Sequence, residues 1–418
     1  MTSRQRVLTA LSHRAPDRVP VDFGATSVTG MHVSCVAALR DHFGLEKRLV
    51  KVFEPGQFLG WIDEDLKQVL GIDVEAMFPR KVNYGLLLDT WKPWRMYDGL
   101  EVLVPGNFNV TIDTNGDTLL HPDGDTSAPP SGRMPAGGYF FDAIIRQQPF
   151  QEEDLRPEDN VEEFGLYTEA DLNYLEQSAR NAAATGRAVV GKFGSGFGDI
   201  AIVPGVGLKH PKGIRDVAEW YMSLRSRPAY IHGVFSRQCD ILLENLRRVR
   251  DRVHDFVDVL YLCGTDFGTQ RSTFCSVETF RDLWLPYYQR VNEWVHRNTK
   301  WKTFKHSCGS VVKFLDTFVE AGFDILNPVQ ISALGMDPEY LKSTFGDKLT
   351  FWGGGVDTQK TLAFGTPTEV REQVLRHMEI FSRDGGYVFN TVHNVQARTP
   401  VENIVAMFDA VGDFAKRT

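Results

Sequence analysis

The chain has 418 residues, 42% hydrophobic and 24% charged, the balance of a globular protein with a large core. Its formal net charge of -8 argues against a nucleic-acid or anionic-membrane partner, either of which calls for basic patches. No apolar run approaches the roughly 20 residues needed to span a bilayer. The opening MTSRQRVLTALSHRAPDR lacks the apolar core and small-residue cleavage site of a secretory signal.

Five cysteines, Cys35, Cys239, Cys263, Cys275 and Cys308, are an odd set without framework spacing. They read as reduced thiols of a cytoplasmic protein, most of them small buried side chains. A homodimer is the expectation from the symmetry of soluble oligomers.

In chain order, apolar extended runs recur at 19–23 (VPVDF), 72–78 (IDVEAMF), 188–193 (AVVGKF) and 258–263 (DVLYLC). KTFKH (302–306), FDILNP (323–328), LTFWGG (349–354) and GYVFNT (386–391) follow. Six of the eight alternate with helical patterns through the second half, which predicts parallel strands joined by helical crossovers. The fold class expected is α/β, a single (β/α)8 TIM barrel over 1–418.

The segment 276–297 repeats Phe280, Leu283, Tyr287, Val291 and Trp294 at helical spacing, with Pro286 placed to bend it. Thr366-Pro367-Thr368-Glu369 is a capping box ahead of Val370, Val374, Met378 and Phe381. Thr399-Pro400-Val401-Glu402 repeats the device ahead of Ile404, Met407, Phe408 and Val411, and Asp384-Gly385-Gly386 ends the helix between. Residues 95–141 break the rhythm. Asp98-Gly99, Asn115-Gly116 and Asp123-Gly124 have hairpin-turn chemistry and predict a β-hairpin insertion after the second strand, as a lid or interface.

The sharpest chemical signal is Phe304-Lys305-His306-Ser307-Cys308-Gly309-Ser310 at a strand end. Side chains two apart in extended backbone point the same way, so His306 and Cys308 converge as half of a tetrahedral zinc site. In a barrel, functional residues come from the C-terminal strand ends. Asp266 and Gln270 follow one strand there, Asn327 and Gln330 another, Asp357 a third and His393 the last. Asp357 also reads as a plain helix cap. His393 is the natural third ligand; the alternative is a neutral general acid or a hydrogen-bond donor to substrate. Gly191-Lys192-Phe193-Gly194-Ser195-Gly196-Phe197-Gly198 looks like a phosphate cradle but lacks the Lys-Ser/Thr ending, and reads as a rim loop. Phe193 is its candidate substrate contact. Lys305 should point outward to the helices and is set aside.

At these residues the sequence resembles the uroporphyrinogen decarboxylase superfamily. Arg4-Gln5-Arg6-Val7 through Asp17-Arg18-Val19-Pro20 looks like its N-terminal signature. His306-Ser307-Cys308-Gly309, Gly355-Val356-Asp357 and Thr399-Pro400-Val401-Glu402-Asn403 look like its C-terminal ones. The resemblance implies a (β/α)8 barrel and two activities. Its decarboxylases hold an acidic tetrapyrrole through an arginine-rich N-terminal run and an aspartate, without metal. Its cobamide-dependent methyltransferases hold zinc through a His-x-Cys pair and a later Cys. Here Gly24-Ala25-Thr26-Ser27 stands where the decarboxylase arginines would be, so the substrate's carboxylates would lack counter-charges. The His-x-Cys pair favours the methyltransferase branch, with His393 in place of the later Cys.

The leading expectation is a zinc-dependent methyltransferase, with His306, Cys308 and His393 binding metal. Asp266, Gln330 and Asp357 are its catalytic candidates; Gln270, Asn327 and Phe193 are substrate contacts. Its partners would be a small methyl donor or thiol and a corrinoid carried on a separate protein. The alternatives are a metal-free decarboxylase of a carboxylic acid and a non-catalytic barrel that binds a tetrapyrrole or a partner.

Overall fold

The computed structural model describes residues 1–194 and 196–417; Ser195, within the glycine-rich loop, lies outside the described residues. Seven parallel strands make one sheet in the order Val74–Met77, Ala188–Gly191, Val259–Cys263, Lys302–His306, Ile325–Asn327, Thr350–Trp352 and Tyr387–Val388. Each was expected from its apolar run. Such runs mark parallel strands covered on both faces, and Val259–Cys263 is buried at every position.

The eighth run, 19–23, closes the barrel by single bridges rather than a ladder. Val21 pairs in parallel with Phe389. Asp22 N donates to Phe389 O at 3.0 Å, and on the other edge Asp73 N donates to Val21 O at 2.8 Å. The ring is thus a (β/α)8-type barrel. Its interior is filled by Val74, Val190, Val259, Tyr261, Phe304, Ile325 and Trp352, and Val7 and Leu11 of the helix Ser3–Leu11 join them.

Helices follow the strands as the punctuation predicts. Thr366 and Glu369 form the reciprocal capping box of the helix Pro367–Phe381. Asp384, Gly385 and Gly386 all take positive φ after it. A Cβ on Gly385 would stand 2.3 Å from the Arg14 carbonyl, so the turn and the close approach both require glycine. The helical stretch around Pro286 is broken at Trp284 into Val277–Leu283 and Leu285–Asn298. Thr399 is a correction. The helix Val401–Ala415 starts from Pro400 with no side-chain cap, because the Thr399 hydroxyl donates backwards to Gln396 O at 2.8 Å.

Turns at Asp98-Gly99 and Asn115-Gly116 join antiparallel strands, with Gly99 and Gly116 at positive φ. Asp123-Gly124 lies instead in a short 3-10 turn within a longer connection. The strand-rich region is also wider than 95–141. Trp91–Arg95 and Glu101–Pro105 join Val50–Glu54 and Leu59–Gly60, from before the second barrel strand, in one four-stranded sheet. A second sheet holds Val110–Ile112, Thr118–Leu120, Gly132–Met134 and Asp142–Ala143. The strands at 50–60 carry no strict alternation, and the sequence reading missed them. Among the described residues no helix is long and apolar enough to cross a membrane.

The barrel's base is pinned by charge. Asp73, fully buried, accepts from Arg6 Nη1 at 2.7 Å and from Arg18 Nη1 and Nη2 at 2.8 and 2.9 Å. Arg6 also grips Asp17, whose carboxyl it holds well below the usual range. Removing one partner of a buried pair strands the other's charge. Asp73→Ala should therefore cost about 3–5 kcal/mol in urea unfolding; a change below about 1 kcal/mol would show the cluster to be dispensable.

Candidate metal centre

On the strand Lys302–His306, alternate side chains separate cleanly. Phe304 enters the barrel interior, whereas Lys305 turns outward, fully buried, with Nζ donating to Thr265 O and His306 O at 2.7 and 2.6 Å. The Phe267 ring covers it at 5.1 Å. The strand ends at His306, yet Ser307 N still donates to Asn327 O at 2.7 Å, and the turn that follows returns Cys308 to the same point. Gly309 makes that turn at φ +89°, and a Cβ there would stand 2.3 Å from Gly268 O. Only glycine permits the two loops to touch.

Cys308 Sγ lies 3.3 Å from His306 Nε2. The His393 ring meets the His306 ring at 5.5 Å between centroids, inclined 72°. One ligand atom from each of His306, Cys308 and His393 lies within 4.8 Å of the others. The structure thus brings the three expected ligands together.

Asn327 fixes which nitrogen of His306 faces the group. Its Nδ2 donates to Trp352 O at 2.8 Å, leaving Oδ1 as the acceptor 2.6 Å from His306 Nδ1. Nδ1 therefore carries the proton and Nε2 presents a lone pair beside the sulfur. Neither ring nitrogen of His393 hydrogen-bonds a described residue.

Burial holds both imidazoles neutral, pushing His306 down to about 3 and His393 to about 4. Burial also lifts the Cys308 thiol well above its ordinary range, and the Asp266 carboxylate adds to this. Two neutral imidazoles and a thiol facing one point fit a divalent cation, which would take the place of the thiol proton. Tetrahedral zinc needs donors roughly 3.4 Å apart. The Cys308–His306 separation already meets that.

The other candidates are placed more variously. Asp266 Oδ1 accepts from Cys308 N at 2.7 Å and lies 3.7 Å from His306 Nε2. It belongs to the group. Gln330, expected to be catalytic, accepts from Gly309 N at 2.6 Å and so pins the turn. Asn327, expected to meet substrate, orients His306 instead. Asp357 Oδ1 accepts from Gln359 N at 2.8 Å, the local cap its sequence context also allowed, and no hydrogen bond or ion pair joins it to the three ligands. Gln270 ties two rim loops by donating to Gln359 Oε1 at 3.0 Å. Phe193, expected to meet substrate, is 1% exposed and packs edge-on against Trp301.

The sequence reading overlooked Asp199 and Tyr261. Asp199 Oδ1 and Oδ2 accept from Ala201 N and Gly264 N at 3.0 and 3.1 Å. Tyr261 points into the barrel beside Phe304, at 5.5 Å between rings. The signal for Tyr261 was present: it stands two residues after Val259 on a strand whose alternation places both inside.

Residues 210–414 match the family model described as uroporphyrinogen decarboxylase (URO-D). A uroporphyrinogen decarboxylase of Ruthia magnifica subsp. Calyptogena magnifica is 24% identical over 196 residues, which cover 46% of this chain and 51% of that protein. The chain thus matches about half the length of this relative. A methyltransferase from Methanosarcina mazei has a similar fold, with a TM-score of 0.55 over 99% of each chain at 14% identity. His306, Cys308 and His393 all fall within the matched residues, over which the chain is similar to the uroporphyrinogen decarboxylase family.

Proposed function

We propose that this protein is a zinc-dependent methyltransferase that moves a methyl group between a small donor or thiol and a corrinoid on a separate protein. The observation that carries the reading is the convergence of His306, Cys308 and His393 within 4.8 Å of one another, with His306 Nε2 freed for metal by Asn327. Zinc held there would activate a thiol acceptor or polarise the group that carries the methyl. Three protein ligands leave a fourth position open, as catalytic rather than structural zinc requires.

The chain's own groups divide the remaining work. Asn327 holds the Nδ1 proton and with it the ring orientation. Gln330 and the Gly309–Gly268 contact hold the cysteine turn. Asp266, with Oδ1 given to Cys308 N, keeps Oδ2 to take the proton of an incoming thiol. Gln57, from the strand-rich region before the second barrel strand, accepts from Asn394 Nδ2 at 2.8 Å, next to His393. That contact supports reading the extra sheets as a cover for the mouth of one barrel unit spanning 1–418. Five unpaired cysteines favour a reducing, cytoplasmic setting. The second reading, a decarboxylase of a carboxylic acid, draws on the curated relative, and carbon dioxide release without metal would establish it.

Elemental analysis of purified protein should find about one zinc per chain, lost in Cys308→Ser and His393→Ala; full activity in metal-free protein would reject the proposal. Asn327→Leu should weaken zinc binding by about 10–100-fold in a chelator competition while all three ligands remain. The metal-free protein should also lose stability as pH falls. Both histidines titrate below their ordinary 6.5 when folded, so the unfolded chain binds more protons below that pH. Urea midpoints should drop from pH 7 to pH 5, less steeply in His393→Gln; an unchanged slope would remove His393 from the buried neutral set.

A further inference from the structure

Lys192 stands at the C-terminal end of the strand Ala188–Gly191, on the same rim as the three ligands. Its Nζ donates to Ser27 Oγ at 2.8 Å and lies 5.9 Å from the centre of the Tyr261 ring. Among the described residues no carboxylate comes within ion-pair distance of it. The acids whose charge reaches it are Glu54 and Asp199. Both are occupied: Glu54 accepts from Gln57 N at 2.6 Å and Asn83 Nδ2 at 2.9 Å, and Asp199 from two backbone amides. Burial pushes the Lys192 pKa down, which an anion beside it would reverse.

Two hydrogen-bonded steps tie this cation to the centre. Asn394 Nδ2 donates to Ser27 O at 2.9 Å, and Asn394 is the neighbour of His393. On the other side, the Tyr261 hydroxyl hydrogen-bonds no described residue. It flanks Gly264 together with Asp199 Oδ2, 2.6 and 2.8 Å from where a Cβ there would stand. Among the described residues, an amine with no carboxylate in ion-pair contact and a phenol with no hydrogen-bond acceptor therefore share the mouth with the three ligands. A partly buried cation of this kind is costly unless an anion completes it.

We propose that Lys192, assisted by Tyr261, anchors a carboxylate at the far end of the molecule that reacts at His306, Cys308 and His393. The substrate is then a bifunctional small acid, its reacting group at the three ligands and its carboxylate on Lys192 and Tyr261. Lys192 binds substrate without entering the bond changes. The inference rests on the reading of the three ligands as the reacting centre.

Calorimetric titration of zinc-loaded protein with 3-mercaptopropionate and with 3-mercapto-1-propanol separates the two ends of the probe. The acid should bind at least about tenfold more tightly, as a charge-assisted hydrogen bond implies. The preference should vanish in Lys192→Met, persist in Lys192→Arg and shrink in Tyr261→Phe, with zinc content unchanged in all three. Equal binding of acid and alcohol, or a preference that survives Lys192→Met, overturns the anchor, as does binding of neither probe by zinc-loaded protein. A protein that takes up no zinc is titrated with the same pair in its metal-free form. A preference for the acid that depends on Lys192 then upholds the anchor while the metal reading falls, and no preference overturns both.

Discussion

A single hydrogen bond organises this site: His306 Nδ1 to Asn327 Oδ1, across two neighbouring strands. Its direction is not free. Because the amide nitrogen of Asn327 is committed to the Trp352 carbonyl, only its oxygen can face the ring. The ring must then carry its proton on the strand side and expose its lone pair to the sulfur. The same pair of strands supplies the backbone bond from Ser307 to Asn327 that sets where the cysteine turn begins. Side-chain chemistry and strand register are thus one constraint.

The barrel was readable because its strands are buried on both faces and carry runs of apolar residues, and because glycine and proline mark the helix ends. His306 and Cys308 were readable for the same kind of reason, a short spacing at a strand end. His393 needed the further idea that the last strand closes beside the others. What could not be read was how polar side chains are spent. Asn327, Gln330 and Asp357 look alike as rim residues in sequence; in the fold one orients a ring, one pins a glycine and one caps a turn. Thr399 looked like a cap and bonds backwards instead. The strand Val50–Glu54 pairs with Leu59–Gly60 beside it and with Glu101–Pro105 some fifty residues on, and it carries no strict alternation that would mark it. Hydrogen bonds such as Asn394 to Ser27, 367 positions apart, leave no trace along the chain.

The N-terminal signature acquires a physical meaning here. Arg6, Asp17 and Arg18 gather around Asp73 at the foot of the barrel, beneath Val7 and Leu11. Paired charge at the foot serves stability, whereas charge at the mouth is available to chemistry. Arginines near the start of such a chain are therefore read by which end of the barrel they reach, not by their number.

The seam between the 19–23 segment and the last strand sets an order of assembly. Val21 is made early, but its partner Phe389 emerges from the ribosome only after nearly all the rest of the chain, and the neighbouring Asp22–Asn390 bond spans 368 positions. Until then the first segment has one finished neighbour at most, the strand headed by Asp73. Contacts so distant along the chain form slowly, since a long loop must close before they repay its entropy. Phe304 and Trp352, which fill the interior, are enclosed only once that seam has closed, and His393, four residues beyond Phe389, meets its two partners at the same step.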